Sequence, residues 1–158
     1  MGIKMRLYEA KNIDKEVEDL ISDYIMDYDD FIEINTFNNH FILLIFFLND
    51  EFMSLSIINP YSEKMLREFN LPYGTCEITG MYIADSFDED IINELMIENI
   101  TKNFTNPLKV TLINNTPIKK LLSKYSFKKF NNKKSIDFWE RKRKSDKNDK
   151  RITMIRDY

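Results

Sequence analysis

Residues able to move a proton are concentrated in the middle of the sequence, where Glu77, Tyr82 and Tyr125 occur within one patterned stretch. A carboxylate such as Glu77 can remove the proton of an attacking nucleophile, directly or through a water molecule. A tyrosine hydroxyl can return a proton to a leaving group, which makes Tyr125 and Tyr82 candidate general acids. Each residue also has an ordinary structural interpretation: Glu77 as a solvent-facing strand residue, and the tyrosines as core aromatics.

Cys76 and His40 are the only cysteine and the only histidine of the chain. Cys76 lies in an apolar segment, so a small core residue is a better interpretation than a nucleophile. A single cysteine forms no internal disulfide and indicates a reducing compartment. His40 precedes an apolar run and has no cysteine or carboxylate at the spacing of a metal site. We therefore predict a loop position for it and no metal.

The length and composition indicate one globular domain, since the chain has 158 residues and 43% of them are hydrophobic. We assign residues 1–144 to this domain and residues 145–158 to a basic C-terminal tail. The longest apolar run, FILLIFFL at positions 41–48, is shorter than the roughly 20 residues that span a bilayer. No basic and then apolar leader precedes the first periodic segment. We expect a cytoplasmic protein that does not associate with a membrane.

The elements that must position the candidate residues begin with a strand, an acidic turn, a helix and a second strand. CEITGMYIA at positions 76–84 and LKVTLI at 108–113 are apolar and β-branched, as is typical of strands. Ser86 and Glu89 have the spacing of a capping box, so we expect the helix to begin at Ser86. Its buried face repeats every fourth residue, through Ile92, Met96, Ile100 and Phe104.

A shorter helix follows the second strand. Pro117 suits its first position, and either Asn115 or Thr116 precedes it as a cap. Lysines occupy its outward face, and its apolar stripe consists of Ile118, Leu121, Leu122 and Tyr125.

This order of elements, with the spacing in NTPIKKLLSKYSF (115–127), resembles the core of the GNAT superfamily of N-acetyltransferases. Asn115 and Phe127 keep the family residues. The resemblance implies an α/β (α+β) fold, with a mixed, mainly antiparallel, splayed sheet flanked by helices. The positions that differ from the family pattern are Ile118 in place of Ala, Leu122 in place of the general-acid Tyr, and Ser126 in place of Gly.

The resemblance also implies a reaction, the transfer of an acetyl group from acetyl-CoA to an amine substrate. In this reaction Glu77 is the implied base, acting through water, and backbone N–H groups near Ile83 polarise the thioester. Tyr125 is one of two tyrosines that could replace the acid missing at Leu122. The positions implied to bind the cofactor are Ile83, Ala84, Asp90, Ile91, Ile92, Asn93 and Asn115.

The turn that should hold the coenzyme A pyrophosphate departs from the family pattern. Asp90 and Ile92 occupy its glycine positions, and Phe87 occupies its Arg or Gln position. The carboxylates of Asp88, Glu89 and Asp90 suit a helix N-terminus and would repel a pyrophosphate there. The sequence therefore predicts weak or absent coenzyme A binding. The alternative to an enzyme is a catalytically inactive GNAT-like domain that binds protein or nucleic acid.

The rest of the chain predicts the element order β-α-α-β-β-β-α-β-α-β-β. Asn12 or Asp14 can cap a helix that continues to about Tyr28, and Asn49-Asp50 supplies the turn of a hairpin. A short helix follows within positions 27–39. Its acidic residues could attract a cationic amine or could simply be solvated: Asp27, Asp29, Asp30 and Glu33.

Charge is distributed unevenly along the chain. Residues 1–100 contain 21 acidic and 6 basic residues, a net of −15, whereas residues 101–158 contain 5 acidic and 17 basic residues, a net of +12. We predict that the basic C-terminal part contacts an anionic macromolecular partner, with ordinary solvated charge as the alternative. RITMIRDY at positions 151–158 could add a strand to a partner or to a second copy in a homodimer.

Overall fold

The computed structural model describes residues 2–113, 116–130 and 151–156. After the first strand a short 3-10 helix, Ala10–Asn12, leads into the first α-helix. The α-helices and strands in chain order are β1 (Ile3–Glu9), α1 (Lys15–Tyr24), α2 (Tyr28–Asn35), β2 (Ile42–Leu48), β3 (Glu51–Pro60), α3 (Glu63–Glu68), β4 (Cys76–Ile83), α4 (Glu89–Asn103), β5 (Leu108–Ile113), α5 (Thr116–Lys124), β6 (Lys128–Lys129) and β7 (Arg151–Arg156).

The strands form one mixed sheet in the order β1-β2-β3-β4-β5-β7-β6. Antiparallel ladders join β1 to β2, β2 to β3, β5 to β7 and β6 to β7. A parallel ladder joins β4 to β5 and pairs residues 76–78 with residues 108–110. The prediction of a mixed, mainly antiparallel sheet accompanied by helices is confirmed. Among the described residues, none of the helices has the length and apolarity needed to cross a bilayer.

The chain divides into two compact units. The first unit comprises Met1–Asn59 and Thr79–Asn93, and the second comprises Pro60–Ile78 and Glu94–Tyr158. Each unit has its own buried residues, and each is described separately below.

The core of the first unit lies between helices α1 and α2 and one face of the sheet. Helix α1 contributes Val17 and Ile21, and α2 contributes Phe31. Because side chains alternate along a strand, the residues that meet these helices are spaced two apart. They are Leu43 and Ile45 of β2 and Leu55 and Ile57 of β3.

Carboxylate caps set the start of both helices. The Asp14 side chain accepts a hydrogen bond from the N–H of Val17 at 3.0 Å, which confirms one of the two predicted caps. The predicted extension of α1 to Tyr28 is wrong, because α1 ends at Tyr24 and Asp27 caps a separate helix. The Asp27 carboxylate accepts a hydrogen bond from the N–H of Asp30 at 3.3 Å. One of the acidic residues considered as a site for a cationic amine is therefore a helix cap.

The hairpin between β2 and β3 turns at Asn49 and Asp50, as predicted. Both residues have positive φ angles, 50° and 68°. Positive φ at both central residues is the signature of a type I′ turn, whose twist matches that of the two strands. Asparagine and aspartate tolerate this conformation better than most residues do.

In the second unit, strand β7 pairs with both β5 and β6. Residues 151–156 therefore belong to the sheet of the domain, and the prediction of a tail does not hold for them. They pair within the chain, where we had expected a strand available to a partner. The tail residues 145–150 lie outside the described residues.

Helix α5 ends in the way that its family position implies. Ser126 has a φ of 71°, in the left-handed region, and occupies the position of the family's glycine. The N–H of Phe127 donates to the carbonyl of Leu122 at 3.0 Å, as at a Schellman C-terminus. A serine thus adopts a conformation that glycine adopts without strain.

Strand β3 carries two buried hydroxyls whose replacement tests the packing of the first unit. Ser54 and Ser56 are fully buried, and within the described residues neither hydroxyl has a hydrogen-bond partner. We expect Ser54→Ala and Ser56→Ala each to raise the free energy of unfolding by about 1 kcal/mol, because a buried unpaired hydroxyl costs about that much. Urea denaturation measures the change, and a loss of stability in both variants would contradict this account.

Candidate functional site

The connection between β4 and α4 carries most of the residues predicted to bind a cofactor. It belongs to the first unit. The backbone N–H of Ala84 donates to the carbonyl of Met53 at 2.9 Å, and the N–H of Phe87 donates to the carbonyl of Ala84 at 3.1 Å. Ile83 is the last residue of β4 and Ala84 follows it, whereas Asp90, Ile91, Ile92 and Asn93 lie among the first five residues of α4.

Asp88 caps helix α4. One oxygen of its carboxylate, Oδ1, accepts hydrogen bonds from the N–H groups of Asp90 at 3.0 Å and Ile91 at 3.2 Å. Its carbonyl accepts from the N–H of Ile92 at 3.1 Å. The predicted start at Ser86 is therefore wrong, and the helix begins at Glu89. The aspartate prevails because one short carboxylate reaches two free N–H groups at once.

This cap occupies the groups that the family resemblance assigns to pyrophosphate. The N–H groups of Asp90 and Ile91 already bind an anion, the carboxylate of Asp88. Asp88, Glu89 and Asp90 are all exposed at the positive end of the helix dipole. A pyrophosphate would have to displace the Asp88 carboxylate and approach two further negative charges, so this helix end is poorly suited to a second anion.

Glu77 lies in the second unit, where the structure places it in a closed cluster of three side chains. Its exposed fraction is 2%, so the solvent-facing interpretation is wrong. It forms an ion pair with Lys109, which has no exposed surface, and accepts a hydrogen bond from the hydroxyl of Tyr61 at 2.5 Å. The Lys109 ammonium also donates to the Tyr61 oxygen at 3.1 Å.

Within this cluster the Tyr61 hydroxyl is held in its protonated form. Burial, reinforced by the charge of Glu77 and its hydrogen bond, raises the pKa of Tyr61 far above its usual range. The hydroxyl therefore remains protonated and keeps donating to the carboxylate. The Glu77 carboxylate thus accepts hydrogen bonds from both a phenol and an ammonium. Glu77 as a general base stays a prediction, and it would have to give up one of these contacts to act.

Sequence reasoning missed Lys109 although a signal for it exists. Glu77 and Lys109 are each the second residue of a strand, and each is flanked by apolar residues. The parallel ladder places them directly opposite each other. A single carboxylate and a single cation at matching positions of two neighbouring apolar strands predict a buried ion pair, because neither charge can be buried alone.

A second polar cluster joins the end of α2 to β4 within the first unit. The Asn35 side-chain amide donates to the carbonyl of Phe31 at 3.0 Å and to the Tyr82 hydroxyl at 2.8 Å. The Asn35 carbonyl accepts from the Thr79 hydroxyl at 2.6 Å and from the Asn59 amide at 2.8 Å. The Tyr82 hydroxyl in turn donates to Oδ1 of Asn35 at 3.2 Å, so the tyrosine both accepts from and donates to this amide.

This cluster explains the glycine in the middle of β4. A Cβ added at Gly80 would lie 2.8 Å from Oδ1 of Asn35 and 3.0 Å from Cε2 of Tyr82. The first distance is shorter than real Cβ atoms show and the second is tighter than most, so a side chain at this position would force the Asn35 amide and the Tyr82 ring to shift. The sequence does not predict that Asn35 lies so close to Gly80, because a glycine within a strand can equally well indicate a bulge.

The other residues singled out in the sequence lie in the core, on a helix or in a loop. Leu122 is buried, and Tyr125 is half-buried with the Lys124 ammonium 5.7 Å from its ring centre. Burial raises the pKa of Cys76 to about 11, which keeps its thiol neutral and agrees with the predicted core role. His40 is exposed, as expected of a loop. The cofactor position predicted at Asn115 lies outside the described residues.

Among the described residues, no group of three or more His, Cys, Asp or Glu side chains is arranged to hold a metal ion.

The buried ion pair can be tested by removing one partner or both. We expect Lys109→Met to lower the free energy of unfolding by about 3–5 kcal/mol, because it leaves Glu77 buried and unpaired. The double variant Glu77→Met, Lys109→Met should recover most of this loss. Urea denaturation measures both. Lys102→Met serves as the control, since it breaks an exposed pair with Glu98 and should cost less than about 1 kcal/mol. Equal losses for Lys102→Met and Lys109→Met would contradict the expectation.

The sequence matches no model of a protein family and no curated protein. Solved structures resemble the whole chain. An acetyltransferase of the GNAT family from Elizabethkingia anophelis with acetyl-CoA bound is 17% identical, with a TM-score of 0.58, over 99% of this chain and 98% of that chain. Escherichia coli ElaA is 11% identical, with a TM-score of 0.60, over 99% and 100%.

The ribosomal-protein-S18-alanine N-acetyltransferase of Escherichia coli is 8% identical, with a TM-score of 0.57, over 96% of this chain and 92% of that chain. At such low identities the likeness concerns the fold. It extends over nearly the full length of each protein and agrees with the element order of this chain. The chain has the fold of the GNAT-family acetyltransferases.

Proposed function

We propose that the protein is a divergent N-acetyltransferase that uses acetyl-CoA to acetylate an amine and holds the coenzyme weakly. The observation that supports this most directly is the whole-chain likeness to GNAT acetyltransferases, one of which has acetyl-CoA bound. The sequence of strand β4, turn and helix α4 occurs in the order that the resemblance requires. The weakness follows from Asp88, whose carboxylate already occupies two N–H groups of that helix.

In the proposed reaction the amine attacks the thioester carbonyl, the C–S bond breaks, and the sulfur leaves as a thiolate. The amine must lose a proton and the thiolate must gain one. Glu77, acting through water, is the proposed base, and Tyr125 is the proposed acid. Backbone N–H groups near Ile83 are proposed to polarise the thioester, and Asn115 is proposed to contact the cofactor.

The second candidate function is a catalytically inactive GNAT-like domain that binds another macromolecule. The specific observation in its favour is again the region from the end of β4 to the α4 N-terminus, where the N–H groups of Ala84, Asp90, Ile91 and Ile92 all donate within the chain. The described basic residues that could face an anionic partner are Lys119, Lys120, Lys124, Lys128 and Lys129, of which Lys124 pairs with Glu94.

Titration calorimetry with acetyl-CoA measures how far Asp88 opposes the coenzyme. We expect the unmodified protein to bind more weakly than about 10 μM, which corresponds to roughly −7 kcal/mol. Asp88→Ala frees two N–H groups and removes a charge, so it should tighten binding about tenfold, or 1.4 kcal/mol. Asp88→Asn removes the charge and keeps a cap. It separates the two effects, because a gain from Ala alone identifies the occupied N–H groups as the obstacle.

The control for this titration is Asp14→Ala, which removes the cap of α1 and should leave affinity for acetyl-CoA unchanged. Binding tighter than about 10 μM by the unmodified protein, with no gain in Asp88→Ala, would contradict the proposed weakness. No binding by any variant would favour the inactive domain.

Turnover of the ion-pair variants decides whether Glu77 takes part in chemistry. The assay measures release of free thiol from acetyl-CoA in the presence of a set of primary amines. If Glu77 is the base, the double variant Glu77→Met, Lys109→Met should lose about 10²-fold or more in turnover although it folds. Lys109→Gln, assayed well below its unfolding temperature, is the matched variant that retains the carboxylate. Unchanged turnover in the double variant would remove Glu77 from the mechanism.

A further inference from the structure

Strand β1 is an open edge of the sheet. It stands at the end of the strand order, and its residues pair with β2 along one side only, from Ile3 opposite Leu48 to Glu9 opposite Ile42. Within the described ranges, no strand pairs with its outer side. An edge strand of seven residues presents a row of N–H and carbonyl groups to which another extended chain can bond.

The edge also carries exposed apolar side chains. The exposed fraction is 41% for Ile3 and 49% for Leu7. These two residues lie on the same face of β1, because side chains alternate along a strand. Charges often protect an edge strand, but Lys4 and Arg6 of β1 lie on the other face from Ile3 and Leu7. Two large exposed aliphatic residues on one face are therefore a surface that an added strand would cover.

The opposite face of β1 borders a groove beside α1. This cavity, with a volume of about 310 Å³, has an apolar floor and a polar rim. Val17, Leu20, Ile45 and Phe47 form the floor. Lys4, Arg6 and Tyr8 of β1, together with Glu16 of α1 and Asp50, form the rim.

Arg6 is the cation of this rim that forms no ion pair among the described residues. Lys4 pairs with Asp50 at 3.8 Å, and both side chains are largely exposed. The Arg6 guanidinium lies 5.3 Å from the ring centre of Phe47, and no ion pair to it occurs among the described residues. Stacking on an aromatic ring leaves the edge of a guanidinium free to donate to a carboxylate.

We propose that the outer side of β1 binds an extended peptide segment that has apolar residues at alternate positions and an acidic residue opposite Arg6. Backbone hydrogen bonds along β1 hold the segment, as in other cases of strand addition to a sheet edge. Its apolar side chains cover Ile3 and Leu7 on one face. Its acidic side chain reaches Arg6 at the groove on the other face.

A second copy of this chain is a poorer occupant of the same edge. Arg6 is the middle residue of the Ile3–Glu9 strand. In the fully overlapping antiparallel register of two β1 strands, the two arginines would lie directly opposite each other, and like charges in that position are destabilising.

The proposal can be tested by a nuclear magnetic resonance titration of the isotope-labelled full chain. The probe is an acetylated and amidated heptapeptide, Val-Thr-Val-Glu-Val-Thr-Val, in which the glutamate falls opposite Arg6 when the central residues align. The comparison peptide has lysine at the centre. We expect shift changes at the amides of β1 and about fivefold tighter binding of the glutamate peptide, from the charge pair across the strands.

Three variants make the outcome specific. Arg6→Glu should reverse the preference between the two peptides. Leu7→Lys should weaken both, because it removes apolar cover without changing the backbone edge. Lys15→Glu makes a comparable charge change on α1, outside the groove, and should preserve the preference. Equal binding of both peptides, shift changes confined to other strands, or β1 shifts that depend on protein concentration without peptide would overturn the proposal.

Discussion

The ion pair between Glu77 and Lys109 is the constraint on which the second unit depends. Two charged groups without solvent contact are tolerable only when each is paired and hydrogen-bonded. The pair spans the parallel ladder of β4 and β5 and therefore ties the register of the two strands to a single alignment. A slip of one strand by one residue would turn its charge to the opposite face of the sheet and separate it from its partner. Tyr61 completes the cluster by donating to the carboxylate and accepting from the ammonium.

The same principle, that a charge must find its counterpart, operates differently at the start of α4. There the partial positive charge of the helix end meets a carboxylate from its own chain. A ligand anion and an internal carboxylate compete for the same N–H groups, and the internal one has no association entropy to overcome. The cap is a local feature of this helix end, made by one side chain of the β4–α4 connection.

Much of the fold was predictable from the sequence, because it follows from patterns of apolar residues. The alternation in LKVTLI, the four-residue repeat that includes Ile92 and Met96, and the Asn49-Asp50 turn each specified an element that the structure contains. Helix boundaries were less predictable where two caps compete. Ser86 has a matching glutamate three residues later, yet Asp88 makes the bonds, since sequence spacing carries no information about which side chain is closer.

The site was harder to predict, because its features depend on contacts between distant positions. The burial of Glu77 requires Lys109, thirty-two residues later, and the crowding around Gly80 comes from Asn35, the last residue of helix α2. Neither partner belongs to a local motif. Side-chain types along one segment can suggest a carboxylate for catalysis, but they do not reveal the ammonium that neutralises it.

A single point mutation can add or remove the Asp88 cap. In the genetic code each aspartate codon is one base away from codons for glycine, alanine and asparagine. The internal carboxylate can thus be gained or lost in a single point mutation, without an intermediate that disturbs the sheet. Losing an N-cap costs about 1 kcal/mol of stability. One tolerated substitution at Asp88 would therefore free the two N–H groups at this helix end.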